Sequence, residues 1–366
     1  TGASTLDPDS ISRTLHIWRS LLQWTGGVIG ATFAVVILAA LNLRGTGVHR
    51  SMLFTLKKGE LFERLTGIGS VIASVYALVS FVCFCGLILT GTSLFDAACL
   101  SLTAVSTGGL TPQSDVLATY VNPVGVFALA FACVIGSFNV AFVWDFFRLR
   151  TWRSAAMNFE NIEHRAMGVI CLLLFCIGIF YTGLSHGFTV FVEAIFFATS
   201  TGYDYHVIGL DMTPPVILIA TALIGGSALS TAGGIKLIRM ILLIRHLGTD
   251  LQRLTHPSRV LPVRFKGQVL PDSAFLSIWM YFFGYTLVFA AGILGLAAVG
   301  LNYEIAVATS AASLANMGPL LQATLPPLTY ADFTVPQHLI SALLMLFGRV
   351  EVLAALSIMS PGLWRR

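Results

Sequence analysis

Three short segments of the chain place oxygen-bearing residues immediately before glycine. They read Ser106-Thr107-Gly108-Gly109, Ser200-Thr201-Gly202-Tyr203 and Asn316-Met317-Gly318-Pro319, and the sequence opens on a related Thr1-Gly2-Ala3. A cation that sheds its water shell needs replacement oxygens, and backbone carbonyls supply them without a permanent charge that would hold the ion too tightly. Glycine reaches positive φ, which allows carbonyls to line a narrow passage. The segments therefore predict a monovalent-cation site at the carbonyls of Thr107, Thr201, Asn316 and Met317.

The glycines Gly108, Gly202 and Gly318 are 94 and 116 residues apart, which indicates an internal repeat. Each follows an apolar segment too short to cross a membrane, and these segments are Ser93 to Asp115, Phe188 to Gly209 and Tyr303 to Thr324. Counting back about one period from Gly108 reaches Gly2. We therefore expect a fourth copy at the start of the sequence, without its outer helix and pore half-helix.

The elements that must position these segments are membrane-spanning helices of roughly 20 apolar residues. Seven runs qualify, and they are Leu21 to Leu43, Gly67 to Leu89, Val121 to Phe147, Met167 to Leu184, Pro215 to Leu243, Ile278 to Leu301 and Leu339 to Ile358. Non-helical backbone at membrane depth is tolerated only where protein or water surrounds it. The sequence predicts an all-α polytopic membrane protein of repeated helix, pore-loop, helix units whose loops share an aqueous cavity. We expect their boundaries at 1–48, 49–158, 159–266 and 267–366.

Composition and charge agree with a membrane protein. Hydrophobic residues make up 56% of the chain and charged residues 10%, and the mean hydropathy is +0.84, which excludes an ordinary soluble domain. Residues 65–147, 166–235 and 267–348 contain no Lys or Arg. The basic residues between those stretches form clusters typical of cytoplasmic loops rather than a nucleic-acid-binding patch, so we expect a cytoplasmic C-terminus and no nucleic-acid partner.

A second group of small residues interrupts the fifth apolar run. The stretch from Gly225 to Lys236 reads GGSALSTAGGIK, and each glycine in a helix costs about 1 kcal/mol relative to alanine. A break in the helix is expected there. Close packing of a small-residue helix surface is the alternative interpretation.

Arg349 lies within the last apolar run, where a lone charge costs about 2.5 to 3.5 kcal/mol or more. We expect its side chain to face a cavity rather than lipid. A structural pairing with helix carbonyls or with a carboxylate is the alternative. For Lys236 and Asp145 the sequence leaves structural and gating roles equally open. The pair Gly26 and Gly30 forms a GxxxG pattern, for which helix packing is favoured.

The chain resembles the Trk/Ktr/HKT superfamily of potassium transporters, and within it the TrkH-type membrane subunits of bacteria. The resemblance rests on IWRSLLQWTGG (from Ile17), LTAVSTGGLTPQSD (from Leu102), GGSALSTAGGIKLIR (from Gly225), NMGP (from Asn316) and LFGRVEVLAAL (from Leu346). It implies potassium uptake across the bacterial inner membrane through one pore surrounded by four pseudo-symmetric helix, pore-loop, helix units. It also implies Arg349 as a positive barrier and an intramembrane gating loop below the selectivity filter, with the gate residues Gly225, Gly226, Ser230, Thr231, Gly233, Gly234 and Lys236. It also implies a homodimer, a cytoplasmic nucleotide-binding ring of TrkA type, and no cofactor beyond the transported K+, with Na+ and Rb+ as further candidate ions.

Two other functional classes fit the sequence less well. A secondary transporter for a small organic solute would also have broken helices, but such folds usually pair inverted halves, whereas each repeat here starts from a basic cluster. An intramembrane hydrolase needs a nucleophile with a base in reach, and no span carries a convincing set. A sodium-selective member of the same superfamily is a further alternative.

Overall fold

The computed structural model describes residues 2–42, 61–138, 162–228, 230–255, 264–265, 268–269, 272–326 and 328–350. The helices in these ranges are α1 (Arg13–Asn42), α2 (Leu61–Leu89), α3 (Leu94–Val105), α4 (Pro123–Ser137), α5 (Ile162–Thr182), α6 (Gly187–Ala198), α7 (Pro215–Ile224), α8 (Leu237–Thr255), α9 (Asp272–Ala298), α10 (Tyr303–Leu314), α11 (Leu320–Thr324) and α12 (Val335–Val350). The strands β1 (Arg264–Phe265) and β2 (Gln268–Val269) form a two-residue antiparallel pair. The all-α prediction is confirmed apart from this hairpin.

Within the described ranges, three helical segments are long and apolar enough to cross a membrane by themselves, and they are Thr66–Leu89, Ile162–Thr182 and Phe275–Ala298. Large apolar side chains on them are exposed, including Phe81 at 64% and Phe180 at 83%. Such side chains are stable in lipid and costly in water. Three other predicted spans extend beyond the described residues, and they are Leu21 to Leu43, Val121 to Phe147 and Leu339 to Ile358.

The helices α3, α6 and α10 each contain 12 residues. At 1.5 Å per residue such a helix is about 18 Å long, which is too short for a hydrocarbon core of about 30 Å. Each follows a long helix closely in the chain, as α3 follows α2 and α10 follows α9. The predicted order of long helix, half-helix and turn is therefore confirmed in three copies.

The predicted fifth span, Pro215 to Leu243, is not one helix. It is divided into α7 and α8, which are separated by the Gly-rich segment after Ile224. The structure thus confirms the predicted break, because Gly225 adopts a φ of +74° and Gly234 a φ of +80°, conformations that interrupt a right-handed helix. We refer to residues 225–236 as the intramembrane loop.

Two large apolar cores hold the half-helices in place. The first joins α1 to α4 with parts of α6, and the second joins α5 to α12. The half-helices are the most deeply enclosed elements: Leu100, Phe196 and Leu314 are each 0% exposed. The turns that follow these helices are therefore held at the centre of the protein rather than at its surface.

Candidate functional site

The three half-helices end in the same hydrogen-bonded turn. In each, the third residue after the helix donates its N–H to a carbonyl five residues earlier, as in Gly108 to Thr103, Thr201 to Phe196 and Met317 to Ala312, all at 2.9 Å. The preceding residue occupies the left-handed region, with φ of +50° at Thr107, +54° at Ser200 and +54° at Asn316. This combination is a Schellman motif. The segments are therefore helix C-caps, and they are equivalent to one another.

These motifs correct the alignment of the repeats. Because they make Thr107, Ser200 and Asn316 equivalent, the glycine that matches Gly202 and Gly318 is Gly109. The alignment on Gly108 is wrong by one residue, and the spacing is 93 rather than 94 residues between the first two copies. Sequence alone could not detect the shift, since repeat two contains two consecutive glycines. Gly2 has a φ of +71°, close to the +73° of Gly109 and the +75° of Gly202.

Gly108 is a glycine for a different reason from the one predicted. Its φ lies outside the left-handed region, and the residue that bends the chain there is Thr107. A Cβ on Gly108 would overlap the amide of Gln23 on α1. Gln23 donates Nε2–H to the carbonyl oxygen of Gly108 at 3.0 Å. Sequence reasoning missed Gln23, which lies inside a quoted motif but gives no signal of its contact.

The four Gly-containing turns form a closed ring. A methyl group on Gly2 would strike the carbonyl of Gly108, one on Gly109 the carbonyl of Thr201, one on Gly202 the side chain of Met317 at 2.8 Å, and one on Gly318 the backbone of Gly2 and Ala3. Each turn thus contacts the next, and the fourth returns to the first. The structure brings all the predicted filter segments together; Thr1 lies outside the described residues.

A cavity of about 380 Å³ opens above this ring and is lined by Gly2, Gly109, Gly202 and Gly318. The carboxylates of Asp7, Asp115 and Asp204 also line it, with Arg19 as a counter-charge. Burial, and secondarily the charge of Asp211, raises the pKa of Asp204 to about 7. The mouth of the ring is therefore acidic, which concentrates cations.

The side chain of Tyr203 stands behind the ring and is 1% exposed. Its hydroxyl hydrogen-bonds Thr103 Oγ1 at 2.5 Å, and its ring packs edge-on against Phe196 at 5.3 Å between centroids. Since Thr103 belongs to α3 and Phe196 to α6, Tyr203 joins two neighbouring repeats. It supports the turn rather than lining the cavity with its hydroxyl. Ser106, also predicted in this segment, caps α3 and bonds Thr103 O at 3.1 Å.

The two ends of the intramembrane loop are hydrogen-bonded to each other, and we call this region the neck. Ile235 N–H donates to Leu223 O at 2.9 Å, and Lys236 N–H donates to Ile224 O at 3.0 Å. A Cβ on Gly225 would overlap the backbone of Gly233, and one on Gly234 would lie 2.7 Å from the backbone of Gly225. Glycine is therefore required at positions 225 and 234, where the two ends of the loop approach each other most closely. Gly226 O accepts from Leu237 N at 2.9 Å and closes the neck further.

The tip of the loop lies directly against the turns. Thr107 Oγ1 donates to Thr231 Oγ1 at 3.1 Å, and Gly233 N–H donates to Ser200 Oγ at 3.1 Å. A Cβ on Gly233 would overlap the carbonyl of Ala315, the cap of α10. Three of the four repeats are thus in contact with the loop from one side.

Arg349 on α12 holds the loop from the other side. Its Nη1 donates to Thr231 O at 2.6 Å, and its Nη2 donates to Gly26 O on α1 at 3.5 Å. A Cβ on Gly30 would lie 3.0 Å from Arg349 Nε, so Gly30 leaves room for the guanidinium. The GxxxG prediction of helix packing is not supported, because a Cβ on Gly26 would meet no atom within 4 Å and Gly27 is the glycine that packs against Tyr76.

Lys236 fixes the shape of the loop. Its backbone has a φ of +82°, and its Nζ donates to Ser230 O at 3.0 Å and to Ala232 O. The space between the loop, Arg349 and Tyr281 is about 30 Å³, close to the volume of one water molecule in the liquid. The loop therefore packs closely against Arg349 and Tyr281. Asp145, the other residue with an open role, lies outside the described residues.

A buried carboxylate that sequence reasoning missed anchors the start of the loop. Glu163 on α5 is 1% exposed and accepts hydrogen bonds from Ala228 N at 3.0 Å and from Ser227 Oγ. A single acidic residue at the end of a basic cluster carries no sequence signal of this contact. The loop is thus held at its stem by α5 and at its tip by the ring and α12.

Re-entrant half-helices, a ring of four turns and a loop beneath it define a polytopic α-helical membrane transport protein. A model of the TrkH family of cation transport proteins matches residues 184–361. The Trk system potassium uptake protein TrkH of Escherichia coli K12 is 30% identical over 381 residues, covering 100% of this chain and 77% of the relative. The TrkG protein of the same organism is 28% identical over 383 residues, covering 100% and 76%.

The crystal structure of the potassium transporter TrkH from Vibrio parahaemolyticus superposes with a TM-score of 0.82 at 25% identity. The superposition covers 99% of this chain and 76% of the chain in the crystal structure. The chain belongs to the TrkH family, and the resemblance drawn from its motifs is confirmed.

Proposed function

We propose that this protein conducts K+ through the ring of four turns, as an uptake channel driven by the membrane potential of the bacterial inner membrane. The observation that carries the proposal is the closed ring, in which Gly2, Gly109, Gly202 and Gly318 each contact the neighbouring turn. A potential of 100 mV contributes about 2.3 kcal/mol per charge, which suffices to drive uptake without a chemical step. The names of the relatives, which describe potassium uptake, support K+ as the ion.

The proposed filter uses the carbonyls of successive residues in each turn. The predicted ligands Thr107 and Asn316 belong to one level, and Thr201 and Met317 belong to the next, together with Gly108. Carbonyl dipoles at both levels would replace the hydration shell of the ion. The C-terminal ends of α3, α6 and α10 direct their negative dipole ends to the same place, which adds to the attraction for a cation.

The proposed gate is the intramembrane loop together with Arg349. The charge of Arg349 opposes cation passage while its guanidinium holds Thr231 O at 2.6 Å, so that one side chain supplies both the barrier and the latch. We further propose the repeat boundaries 1–48, 49–158, 159–266 and 267–366, a cytoplasmic C-terminus, a homodimer and a regulatory nucleotide-binding ring of TrkA type. These assignments rest on the basic clusters and on the family resemblance.

The test is ion uptake into sealed vesicles that contain the protein, with Rb+ as the tracer and K+ or Na+ as competitors. We expect Rb+ uptake that K+ suppresses more strongly than Na+. Stronger suppression by Na+ would identify a sodium-selective protein, and uptake no greater than in empty vesicles would refute the proposal.

A matched pair of substitutions links uptake to the ring. Gly109→Ala and Gly91→Ala both force alanine into a left-handed conformation, with φ of +73° and +91°. A Cβ on Gly109 would overlap the carbonyl of Thr201, whereas a Cβ on Gly91 would meet no atom within 4 Å. We expect Gly109→Ala to weaken the preference for K+ over Na+ and Gly91→Ala to retain it. Equal effects would remove the ring from the selectivity mechanism.

A further inference from the structure

The hydroxyl of Thr107 belongs to a chain of hydrogen bonds that runs from the ring through the intramembrane loop. Thr107 Oγ1 donates to Thr231 Oγ1 at 3.1 Å, and Thr231 Oγ1 donates to Gly136 O on α4 at 3.1 Å. Thr107 is 4% exposed and Thr231 is 3% exposed. Both hydroxyls are thus shielded from bulk water, where the loss of a partner leaves a buried polar group unsatisfied.

A second connection lies in the next repeat. Ser200 occupies the position equivalent to Thr107, and its Oγ accepts from Gly233 N–H at 3.1 Å. Both residues hold a left-handed backbone, which costs a non-glycine residue of the order of 1 to 3 kcal/mol and persists only when the surroundings enforce it. The loop is part of those surroundings.

The fourth repeat is connected differently. Asn316, at the equivalent position, donates Nδ2–H to Met345 O on α12 at 3.1 Å. The side chain of Asn316 therefore holds to an inner helix, while those of Thr107 and Ser200 hold to the loop. Side-chain hydrogen bonds therefore connect the loop to two of the turns, whereas the fourth repeat meets the loop only through the backbone of Ala315 against Gly233.

We propose that Thr107 and Ser200 are positioning residues that couple the intramembrane loop to the geometry of the filter. When the loop leaves, both hydrogen bonds break, the two strained turns relax, and the adjacent carbonyls shift. Ion preference then differs between the closed and the displaced loop, and by linkage the ion in the filter influences the loop. This inference rests on the proposed function, and it adds that the gate also sets selectivity.

The test compares substitutions on the two sides of one hydrogen bond. Thr231→Val removes the hydroxyl on the loop and leaves the ring sequence intact, while Thr107→Val removes the hydroxyl on the ring. From the worth of one buried hydrogen bond, we expect each to lower the K+/Na+ uptake ratio about fivefold. The double variant is expected to lower it no further than Thr231→Val alone, because Thr231→Val already deletes the hydrogen bond that Thr107→Val removes.

Two controls separate coupling from general damage. Thr107→Ser retains the hydroxyl and is expected to restore the ratio. Thr221→Val removes a hydroxyl from α7, outside the loop, where that hydroxyl donates to Leu218 O at 2.8 Å. We expect the ratio for Thr221→Val to equal that of the unmodified protein.

An unchanged ratio in Thr231→Val, or additive effects in the double variant, would overturn the coupling while K+ uptake itself could persist. If Thr231→Val does not fold, Thr107→Val is placed in an Arg349→Ala background, in which the loop has lost its latch. The coupling predicts that Thr107→Val then has little further effect on the ratio, and an undiminished effect would overturn it. Absence of K+ uptake by the unmodified protein would instead refute the proposed function.

Discussion

The contact between Gly233 and the cap of α10 allows the closed loop to be perturbed by a single methyl group. A Cβ at Gly233 would overlap the carbonyl of Ala315 and lie 3.2 Å from its Cα. Both partners are backbone, so side-chain rotation cannot relieve the overlap, and the loop must move by more than about 1 Å to restore normal contact. Gly233→Ala should therefore displace the tip of the loop from the ring.

The cost to the closed state follows from two contributions. Forcing a methyl group into a packed interior costs about 1 to 3 kcal/mol. The displacement also stretches the 3.1 Å bond from Gly233 N to Ser200 Oγ beyond hydrogen-bonding distance, a further loss of about 1 kcal/mol. Together these destabilise the closed loop by about 2 to 4 kcal/mol, which corresponds to an increase of roughly 30-fold to several hundredfold in the open-to-closed ratio.

Initial rates of Rb+ uptake into vesicles measure the effect, with Gly168→Ala as the matched control. Gly168 lies on α5 and is exposed, and a Cβ there would meet no atom within 4 Å. Gly168→Ala is therefore expected to leave uptake and thermal stability unchanged or slightly improved. Gly233→Ala should raise uptake with little loss of thermal stability in detergent. Lower or unchanged uptake by a folded Gly233→Ala protein would show that the loop does not obstruct the passage.

Arg349→Ala should also raise uptake, because it removes both a charge and the 2.6 Å bond to Thr231 O, and a charged hydrogen bond contributes about 1.5 to 3 kcal/mol. Arg349→Lys should give an intermediate rate, and a fall in uptake with a collapse of the melting temperature would support a purely structural role. Because the pKa of Asp204 is raised to about 7, its carboxylate is mostly neutral at about pH 6 and mostly ionised at about pH 8. Uptake at low K+ should rise over that interval, and Asp204→Asn should flatten the rise. The same raised pKa means that the contribution of Asp204 to folding is lost as the pH rises toward 7, so a thermal-melting profile of Asp204→Asn should lack this decline.

Much of the fold was predictable, because apolar runs and glycine breaks report directly on membrane depth. The half-helix at Leu94–Val105 and the interruption after Ile224 both follow from local composition. The register of the repeats was not predictable in the same way. In the segment Thr107-Gly108-Gly109, either glycine satisfies a Thr-Gly pattern, and only the hydrogen bond from Gly108 N to Thr103 O decides between them.

The residues that sequence missed make contacts between segments far apart in the chain. Gln23 bonds a carbonyl 85 residues away, and Glu163 bonds Ser227 and Ala228 across 64 and 65 residues. Such partners depend on how helices pack, which periodicity does not encode. Arg349 was found because a charge in an apolar run is conspicuous, yet its partners Thr231 and Gly26 became known only from the structure.

The neck of the intramembrane loop has a mechanical consequence. Its hydrogen bonds, from Ile235 to Leu223 and from Lys236 to Ile224, join residues at the ends of α7 and α8 rather than residues at the tip. The two ends of the loop are thus held together by hydrogen bonds, so the tip can move aside as a unit without unwinding either flanking helix. In the proposed gating, the contacts that break are those of the tip with the ring and with Arg349, while the hydrogen bonds of the neck remain.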